Sequence, residues 1–553
     1  MRQILPWFAV VFCLSTGILQ AQVLDSLFGV PYSFTLVHFT PGATSSDFIN
    51  RDDRCYAALH LPGGKIILAG HTSSADGTDM ALLHLLSDGT YDEGVGPGGR
   101  IRTNFGHYAD SCVAAVLDAE GRILTAGATH EQGQIMFNIL VARTDTLGRP
   151  DSLFGNNGSV VIDLPPTREI ITKIIPLPDG RILIAGDAYY GDDYYFPDST
   201  RILVGRLWPD GSVDTSFGNN GFFYLQFDSG CNSSMLGDIA VDSEGRVLVS
   251  GASYFIYPLY FFPTTTCWHV VDLFRYTSGG LPDNSFGTGG KLTLPHTQGH
   301  ASVLHIGNND EIVPAGSVTN FEDLHTPVHI YLGRVLAGGT MDSTFAYYGR
   351  FIRHINGGIG PAAPSDLLEL ADHYYMGFED DAQGTGLYFG LLRFSKTGAW
   401  DMSFGNNGVF NTEGLLPYIG GEVTQISTVD SNYIFISGYH QTTALQKNNM
   451  FIAKVKLNNV VSAAEAVKEE SKLRIFPNPV SGGVLNVDYS GFADEGLVQL
   501  RLSDMQGRLL WQRQVPAPGG IGQADVSQLP PGMYVLEVSN GVQRAVRRVV
   551  VAR

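Results

Sequence analysis

The sequence predicts an all-β protein: a β-propeller of about seven four-stranded blades, followed by a small C-terminal Ig-like β-sandwich. Three observations support this prediction: a unit of about 60 residues recurs seven times, glycine is abundant, and the composition changes near residue 460. Glycine accounts for 66 of 553 residues, while charged residues make up only 16%. Many short strands joined by tight turns produce this composition, whereas long helices and disordered chains do not.

Residues 1–22 form a targeting segment that precedes the repeats. Arg2 is followed by the uncharged apolar stretch Leu5–Leu19, and small or polar residues then lead to Ala21 and Gln22. This order is typical of a signal peptide cleaved near residue 22, so we expect export from the cytoplasm. The formal charge of −19 argues against a nucleic-acid partner, because phosphate binding requires a basic surface.

Residues 23–460 contain three sequence elements that recur in a constant order. The first is the turn Asp-x-Ser/Thr-Phe-Gly-x-x-Gly, whose copies begin at Asp25, Asp92, Asp151, Asp214, Asp283, Asp342 and Asp401. The copy over 342–349 (DSTFAYYG) is a weaker match, the copy over 92–99 is degenerate, and the copy at Asp25 is truncated. The second element is a turn and an apolar strand ending in glycine, such as 181–186 (RILIAG). The third is an alternating strand, such as 203–207 (LVGRL).

Each repeat supplies four short antiparallel strands that cannot bury both of their faces alone. An Asp-Gly or Glu-Gly turn between two apolar runs predicts a hairpin, because glycine accepts the positive φ of tight turns. Stacking the units side by side buries their apolar faces, as in a propeller. The last repeat lacks a final strand, so we expect the N-terminal run 33–38 to close the ring and cover a sheet edge. Seven blades is the preferred number, with six or eight left open.

These motifs resemble the delta-60 repeat family, whose units carry the same Asp-x-Ser-Phe-Gly-x-x-Gly turn and an Asp-Gly-Lys/Arg-Ile-Leu-x-x-Gly strand. The resemblance covers roughly residues 23–458. It implies a propeller fold for this part of the chain and says nothing specific about an activity.

After a polar linker over 461–472, residues 473–553 are predicted to form a separate β-sandwich. We expect strands over 484–489, 498–502, 525–529 and 532–538, with a hairpin tip at 506–507. This segment resembles the C-terminal sorting domain of type IX secretion substrates in Bacteroidetes. The site residues that carry the resemblance are Phe476, Pro477, Asn478, Pro479, Gly507, Gly532 and Tyr534. The resemblance implies contact with the secretion machinery, passage through the periplasm, and release from or anchoring at the outer-membrane surface.

Four cysteines follow the targeting segment: Cys55, Cys112, Cys231 and Cys267. An even number in an exported chain permits disulfides, and four cysteines allow three pairings. Cys231 and Cys267 lie in one repeat and form the preferred pair. Four buried free thiols are the alternative.

Two corresponding loops in the third and fourth repeats are rich in aromatic residues. Ring geometry places them side by side on one face, where Tyr and Trp offer flat apolar surface with a polar edge. We predict that they contact a glycan or protein ligand, and the alternative is that the loops pack against themselves. The predicted contact residues are Tyr189, Tyr190, Tyr194, Tyr195, Tyr254, Tyr257, Tyr260 and Trp268.

The repeated charged residues have structural interpretations. The arginine of the third element, such as Arg206, is expected to pair with the Asp or carbonyls of its own blade. The Asp and Asn of the first element are expected to cap turns rather than bind calcium. The histidines of the fifth repeat include two His-x-x-x-His pairs, but Pro295, Gly299 and Pro327 argue against a helix there and no Glu lies between the histidines, so a zinc site is not expected. The histidines are His296, His300, His305, His325 and His329. The sequence therefore predicts no metal site, no cofactor and no catalytic residue.

The preferred function is a secreted or surface-anchored, non-catalytic binding or scaffold protein. The alternative is an extracellular hydrolase or lyase that acts on polysaccharide, with carboxylates converging near the central channel. Two carboxylates with shifted pKa values in one pocket would favour the enzyme. A flat aromatic shelf would favour binding, and a purely structural surface-layer component would show neither feature.

Overall fold

The computed structural model describes most of the repeat region and of the C-terminal module. The described residues are 23–24, 28, 34–37, 52–74, 77–132, 137–191, 199–226, 233–254, 271–294, 298–319, 329–353, 363–381, 387–405, 408–411, 420–441, 448–457, 474–478, 480, 483–488, 496–504, 509–517, 521–539 and 544–552. The predicted signal peptide (1–22) and linker (461–472) lie outside them.

The described residues form 36 β-strands and two short 3₁₀ helices, Pro62–Gly64 and Pro97–Gly99. This confirms the predicted all-β class. Within this part of the chain, no helix is long and apolar enough to cross a lipid bilayer.

The strands of the repeat region form seven antiparallel groups of four, which we number as blades 1 to 7. Two strands come first in the chain: β1 (Val23–Leu24) and β2 (Phe34–Val37). Blade 1 comprises β3 (Asp52–His60), β4 (Ile66–Ser74), β5 (Gly77–Leu85) and β6 (Arg100–Thr103). Blade 2 comprises β7 (Ala109–Leu117), β8 (Ile123–His130), β9 (Asn138–Thr144) and β10 (Ser159–Ile162). Blade 3 comprises β11 (Arg168–Pro176), β12 (Ile182–Tyr190), β13 (Ser199–Leu207) and β14 (Phe222–Leu225).

The remaining blades follow the same order. Blade 4 comprises β15 (Ser233–Val241), β16 (Val247–Tyr254), β17 (Asp272–Tyr276) and β18 (Lys291–Thr293). Blade 5 comprises β19 (Gln298–Ile306), β20 (Ile312–Thr319), β21 (His329–Gly333) and β22 (Arg350–Arg353). Blade 6 comprises β23 (Ala363–Glu369), β24 (His373–Asp381), β25 (Leu387–Ser395) and β26 (Val409–Asn411). Blade 7 comprises β27 (Gly420–Ser427), β28 (Tyr433–Gln441) and β29 (Asn449–Lys456), completed by β2.

Apolar cores lie between adjacent blades rather than inside them. One cluster joins Ile184 of blade 3 to Val141 of blade 2, and another joins Leu183 of blade 3 to Val249 of blade 4. The alternation along β12 therefore sends neighbouring side chains to opposite faces, and each face is buried by a different neighbour. Equivalent clusters lie at each of the other five blade contacts, including the contact between blades 7 and 1.

The N-terminal segment closes the ring, as the incomplete last repeat indicated. In β2, Phe34–Val37 pairs antiparallel with β29, and β1 pairs with the C-terminal end of the same strand. Phe28, from the truncated first motif, is fully buried between blades 7 and 1, and its ring centroid lies 5.6 Å from that of Phe435. The first residues of the repeat region thus complete its last blade, which removes an exposed edge.

The spacing of arginine and aspartate that recurs along the chain produces one contact unit in five blades. In blade 3, Arg206 Nε donates to Asp214 Oδ2 at 2.7 Å, and the guanidinium lies over the Phe217 ring at 4.5 Å. The other four units pair Arg143 with Asp151, Arg275 with Asp283, Arg334 with Asp342 and Arg393 with Asp401. The predicted pairing within each blade is therefore confirmed.

Four of these arginines also link consecutive blades: Arg143, Arg206, Arg275 and Arg334. Arg143 Nη1 donates to the Pro209 carbonyl of blade 3 at 2.6 Å, and Arg334 Nη1 donates to the Lys396 carbonyl of blade 6 at 2.7 Å. In blades 1 and 7, a side chain other than arginine makes the corresponding contact. His84 Nε2 of blade 1 bonds the Thr146 carbonyl of blade 2 at 2.6 Å, and Lys454 of blade 7 lies over the Phe28 ring.

Two of the four cysteines lie among the described residues. Cys55 and Cys112 occupy matching positions in β3 and β7, and both are buried free thiols. Burial raises the pKa of Cys55 to about 12, so this thiol stays protonated. The predicted Cys231–Cys267 disulfide lies outside the described residues and stays a prediction.

The C-terminal module contains two sheets. One comprises β30 (Arg474–Phe476), β31 (Val484–Asp488) and β34 (Ile521–Asp525). The other comprises β32 (Gly496–Asp504), β33 (Leu509–Ala517), β35 (Gly532–Ser539) and β36 (Arg544–Val551). Residues from both sheets, such as Leu485 and Leu536, form one core.

The strand that we expected over 525–529 is wrong. The observed strand, β34, ends at Asp525, where the carboxylate accepts a hydrogen bond from the Ser527 amide at 2.9 Å. Such an Asx turn competes with the strand ladder and reverses the chain before β35.

Candidate functional site

The aromatic loops were the sequence-predicted ligand site, and the structure describes the beginning of the first one. Tyr189 and Tyr190 are the last two residues of β12, and both are half-buried. The Arg168 guanidinium lies 5.9 Å from the Tyr189 ring centroid, and that of Arg201 lies 5.0 Å from the Tyr190 centroid. Because successive strand residues face opposite sides, these two rings do not form one continuous shelf.

The other predicted aromatic contacts lie mainly outside the described residues. Tyr254 ends β16, but its side chain is not described. The undescribed ones are Tyr194, Tyr195, Tyr257, Tyr260 and Trp268. A ligand site on these loops stays a prediction.

One buried and two half-buried carboxylates with raised pKa values are the electrostatic feature that the sequence interpretation missed. Burial raises the pKa of Asp187 to about 7 and that of Asp366 to about 6. Burial, together with the nearby Glu422 carboxylate, raises the pKa of Glu379 to about 8. Asp187 is an acidic residue inside the largely apolar strand 182–190 (ILIAGDAYY), which was the available signal for it. Asp366 and Glu379 lie in strands that contain other polar residues and gave no such signal.

These carboxylates accept hydrogen bonds across blade interfaces. Asp187 Oδ1 of blade 3 accepts from the Leu236 amide of blade 4 at 2.8 Å. Asp366 Oδ2 of blade 6 accepts from the Ile426 amide of blade 7 at 2.9 Å. Glu379 of blade 6 likewise accepts from a backbone amide of blade 7, that of Val423. Leu236 and Val423 lie immediately before bulges at Gly237 and Thr424, where the ladder is interrupted.

One ion pair accompanies these carboxylates on the inner strands. Lys173 Nζ of blade 3 contacts Asp238 Oδ1 of blade 4 at 2.8 Å, and Asp238 Oδ2 accepts from the Leu304 amide of blade 5 at 2.8 Å. Burial opposes the charge on Lys173, but Asp238 and Asp366 outweigh it and raise the pKa of the lysine. The ion pair therefore joins blades 3 and 4, and the carboxylate–amide hydrogen bond joins blades 4 and 5.

Polar residues also concentrate where blade 7 meets blade 1. Asn448 Nδ2 donates to Asp52 Oδ1 at 2.7 Å, and Arg54 lies over the Tyr439 ring at 5.0 Å. The Tyr439 hydroxyl donates to Glu422. These contacts hold blades 7 and 1 together at the seam where the ring closes. The Asn448–Asp52 and Arg54–Tyr439 contacts each join the two blades, and the Tyr439–Glu422 hydrogen bond orients the tyrosine.

The carboxylates differ in their hydrogen-bond partners. Asp187 accepts from blade 4, whereas Asp366 and Glu379 accept from blade 7. Asp366 also interacts electrostatically with Lys173. Across the described ranges, no group of three or more His, Cys, Asp or Glu side chains is placed to hold a metal ion. His305 instead bonds Glu369 of blade 6 at 2.5 Å.

The predicted sorting residues hold the last strand of the C-terminal module. Asn478 Oδ1 accepts from the Val550 amide of β36 at 2.8 Å. The Val480 amide donates to the Val550 carbonyl, and the Val480 carbonyl accepts from Ala552, the residue after the strand. Asn486 Nδ2 donates to the Phe476 carbonyl at 3.0 Å. Asn478 and Val480 therefore fasten the C-terminal strand by hydrogen bonds, and we call this pair of contacts the clamp.

Residues 474–552 match the family described as the secretion system C-terminal sorting domain. The chain carries a sorting domain. This confirms the resemblance seen in the sequence and shows export through a type IX secretion system to the cell surface or the medium. The match includes the clamp and both sheets of the module.

Two further predicted residues of the sorting domain lie near its second sheet. Gly532 begins β35, and the buried Tyr534 donates its hydroxyl to the Pro530 carbonyl at 2.8 Å. A tyrosine bonded to backbone a few residues upstream is a recurrent corner of β-sandwiches. Pro479 and Gly507 lie outside the described residues.

The repeat region matches a β-propeller domain of unknown function, DUF5122, over residues 61–94 and 177–217. This confirms the predicted propeller. No curated protein matches the chain.

Three solved structures show how far the similarity extends. A protein of unknown function from Dyadobacter fermentans is 12% identical, with a TM-score of 0.36, covering 74% of this chain and 95% of that one. PorZ of the Porphyromonas gingivalis type IX system is 12% identical, with a TM-score of 0.23, covering 90% and 81%. An endo-arabinanase of Bacillus licheniformis is 11% identical, with a TM-score of 0.28, covering 62% and 93%.

Proposed function

We propose that this exported protein is a non-catalytic propeller platform that holds a glycan or protein ligand outside the cell. The observation that supports a non-catalytic role is the position of the carboxylates with raised pKa values. Each accepts a backbone amide from the next blade, which is a structural task. A general acid needs its proton-bearing oxygen directed at substrate, and a partner carboxylate across the same cavity.

Glu379 and Glu422 are two described carboxylates close enough to interact. Glu422 is exposed and raises the pKa of Glu379, but it also accepts the Tyr439 hydroxyl. In the proposed function, both belong to the seam between blades 6, 7 and 1. A hydrolase would instead use Glu379 as the acid and lose turnover when this carboxyl is replaced.

The experiment compares purified full-length protein with Glu379→Gln and Glu422→Gln variants on plant and microbial polysaccharides. We expect no release of reducing ends or unsaturated products above a heat-inactivated control. Release that disappears in either variant would overturn the non-catalytic proposal and establish the polysaccharide hydrolase or lyase.

The platform role has a second requirement, which is that the ligand binds the propeller and not the sorting domain. After deletion of residues 473–553, the protein should remain in the periplasm, folded and still able to bind its ligand.

Replacing the aromatic residues of the two loops by serine should weaken binding and leave thermal stability unchanged. A large loss of stability would support the alternative, in which the loops pack against themselves.

A further inference from the structure

The turn over 346–349 in blade 5 departs from the repeated motif at positions where the backbone is left-handed. Ala346 has φ +46° and Tyr348 has φ +52°. The matching residues of blade 3 are Gly218 at φ +55° and Asn220 at φ +52°. Glycine and asparagine adopt this region readily, whereas alanine and tyrosine do so at a cost in free energy. The substitutions in blade 5 therefore do not serve the stability of the turn.

Because the turn over 346–349 departs from the repeated motif, two aromatic rings lie in solvent. Tyr347 is 75% exposed and Tyr348 is 69% exposed. Their ring centroids are 4.6 Å apart and their planes meet at 81°. The matching residues of blade 2 are Asn156 and Asn157, which offer no apolar surface of this kind. Large apolar side chains held in the open at a strained turn are typical of a binding surface.

A groove of about 590 Å³ opens beside these rings, between blades 5 and 6. It is lined by Ala346, Tyr347, Arg350, Phe351 and Ile352 of blade 5 and by Gly398 and Ala399 of blade 6. The Ala346 amide donates to the Thr397 carbonyl at 2.6 Å, which fixes the two sides of the groove relative to each other. Gly398 has φ +79° and leaves no side chain in the groove, because a Cβ there would lie 2.7 Å from the Phe345 ring.

The charge of the groove differs from that of the chain. The chain carries a net charge of −19, but Arg350 is the one charged residue among those that line the groove. A planar guanidinium binds a carboxylate through two parallel hydrogen bonds. The ligand that fits these residues has a flat C–H face for the tyrosine rings, hydroxyls that compete with water, and a carboxylate.

We propose that the groove between blades 5 and 6 binds a uronic-acid-containing oligosaccharide, with a sugar ring on the Tyr347–Tyr348 pair and a sugar carboxylate on Arg350. The volume is within the range of small-ligand sites and accommodates a short oligomer. This inference rests on the proposed function, since it names a ligand class and a site for the exported platform.

The test measures binding of tetragalacturonate to the full-length protein by calorimetry. The matched ligand control is the methyl-esterified tetramer, which keeps the ring and removes the charge. An acidic peptide, tetraglutamate, represents the other class of anionic ligand. We expect tetragalacturonate to bind at least about tenfold more tightly than either control, since a lost charged contact is worth about that factor. Equal or tighter binding of the ester or the peptide would overturn the proposal.

Three variants locate the site. Tyr347→Ser together with Tyr348→Asn should weaken binding about tenfold or more, and Arg350→Gln should abolish the preference for the acid over the ester. Leu153→Ser is the matched control, because Leu153 is a large apolar residue that is 80% exposed in the corresponding turn of blade 2 and does not line the groove, so affinity should not change. Unchanged affinity in the double variant would overturn this site while leaving the platform function intact. Cleavage of the tetramer would overturn the platform function instead.

A thermal melt separates binding from folding. Tyr348→Asn places a residue suited to the left-handed region, so its melting temperature should equal or exceed that of the parent. A lower melting temperature in this variant would identify the rings as packing elements and overturn their assignment to ligand binding.

Discussion

Replacement of Arg206 by methionine should destabilise the propeller more than the same change in blade 6. Arg206 is 5% exposed and Asp214 is fully buried, so Arg206→Met leaves a carboxylate without its main counter-charge. The change also removes the bond to the Ser278 carbonyl of blade 4 and the contact with the Phe217 ring. Methionine keeps most of the side-chain volume, so the cost is mainly electrostatic.

The magnitude follows from what Asp214 retains. Removing one partner of a buried ion pair costs about 3 to 5 kcal/mol. Asp214 still accepts from the Ser216 hydroxyl at 2.6 Å and the Ser216 amide at 3.1 Å, and Arg181 lies 3.4 Å away. These contacts place the cost at the lower end of that range, about 3 kcal/mol.

Arg393 in blade 6 is the matched comparison. Its side chain is 13% exposed and that of Asp401 is 21% exposed, so water solvates the remaining charge after Arg393→Met. We expect a cost of about 1 to 2 kcal/mol there, between the values for exposed and buried pairs. Arg206→Met and Arg393→Met thus remove equivalent arginine–aspartate ion pairs that differ in solvent exposure.

The assay is urea denaturation of both variants, followed by tryptophan fluorescence, with hydrogen exchange at β13 and β17 as a local readout. The double variant Arg206→Met/Asp214→Asn completes a cycle, and its cost should be about 2 kcal/mol less than the sum of the two single costs. Equal costs for Arg206→Met and Arg393→Met, or simple additivity in the cycle, would refute this reasoning.

Two further changes test the ring closure and a half-buried carboxylate. Phe28→Ala should cost about 3 to 4 kcal/mol and raise hydrogen exchange in blades 1 and 7 first, because Phe28 is 1% exposed in the core between them; a cost below about 1 kcal/mol would contradict closure by the N-terminus. Glu379→Gln should have little effect at pH 4 and should stabilise the protein at pH 8.5. The carboxyl has a raised pKa of about 8 and an ordinary value of 4.5, so its burial costs stability progressively as the pH rises between these values. Its half-buried position limits the gain to on the order of 1 to 2 kcal/mol, measured by urea denaturation at both pH values, and an equal effect at both would contradict the raised pKa.

Contacts close in sequence were predictable. Arg206 and Asp214 are eight residues apart on either side of one turn, so the repeat spacing already determines their pairing. The incomplete last repeat likewise indicated that the N-terminal strand would complete it. The strand expected over 525–529 failed for a local reason, since the Asp525 carboxylate captures the Ser527 amide and turns the chain.

The chemical character of the carboxylates was not predictable. Asp187 bonds an amide 49 residues away, and Asp366 bonds one 60 residues away. Only the packing of one blade on the next removes water from these groups and supplies their donors, and this desolvation is what raises their pKa values. For Asp187, the sequence showed an acidic residue in a largely apolar strand but not its partner.

The sequence alone therefore determined the all-β class, the repeated blade and the sorting domain, because each is written in patterns within a few tens of residues. The tertiary structure decided which side chains are buried between blades and which remain open. The DSTFAYYG turn shows both levels. Its departure from the motif is visible in the sequence, but the exposure of Tyr347 and the groove beside it depend on the neighbouring blade, whose turn supplies the other wall.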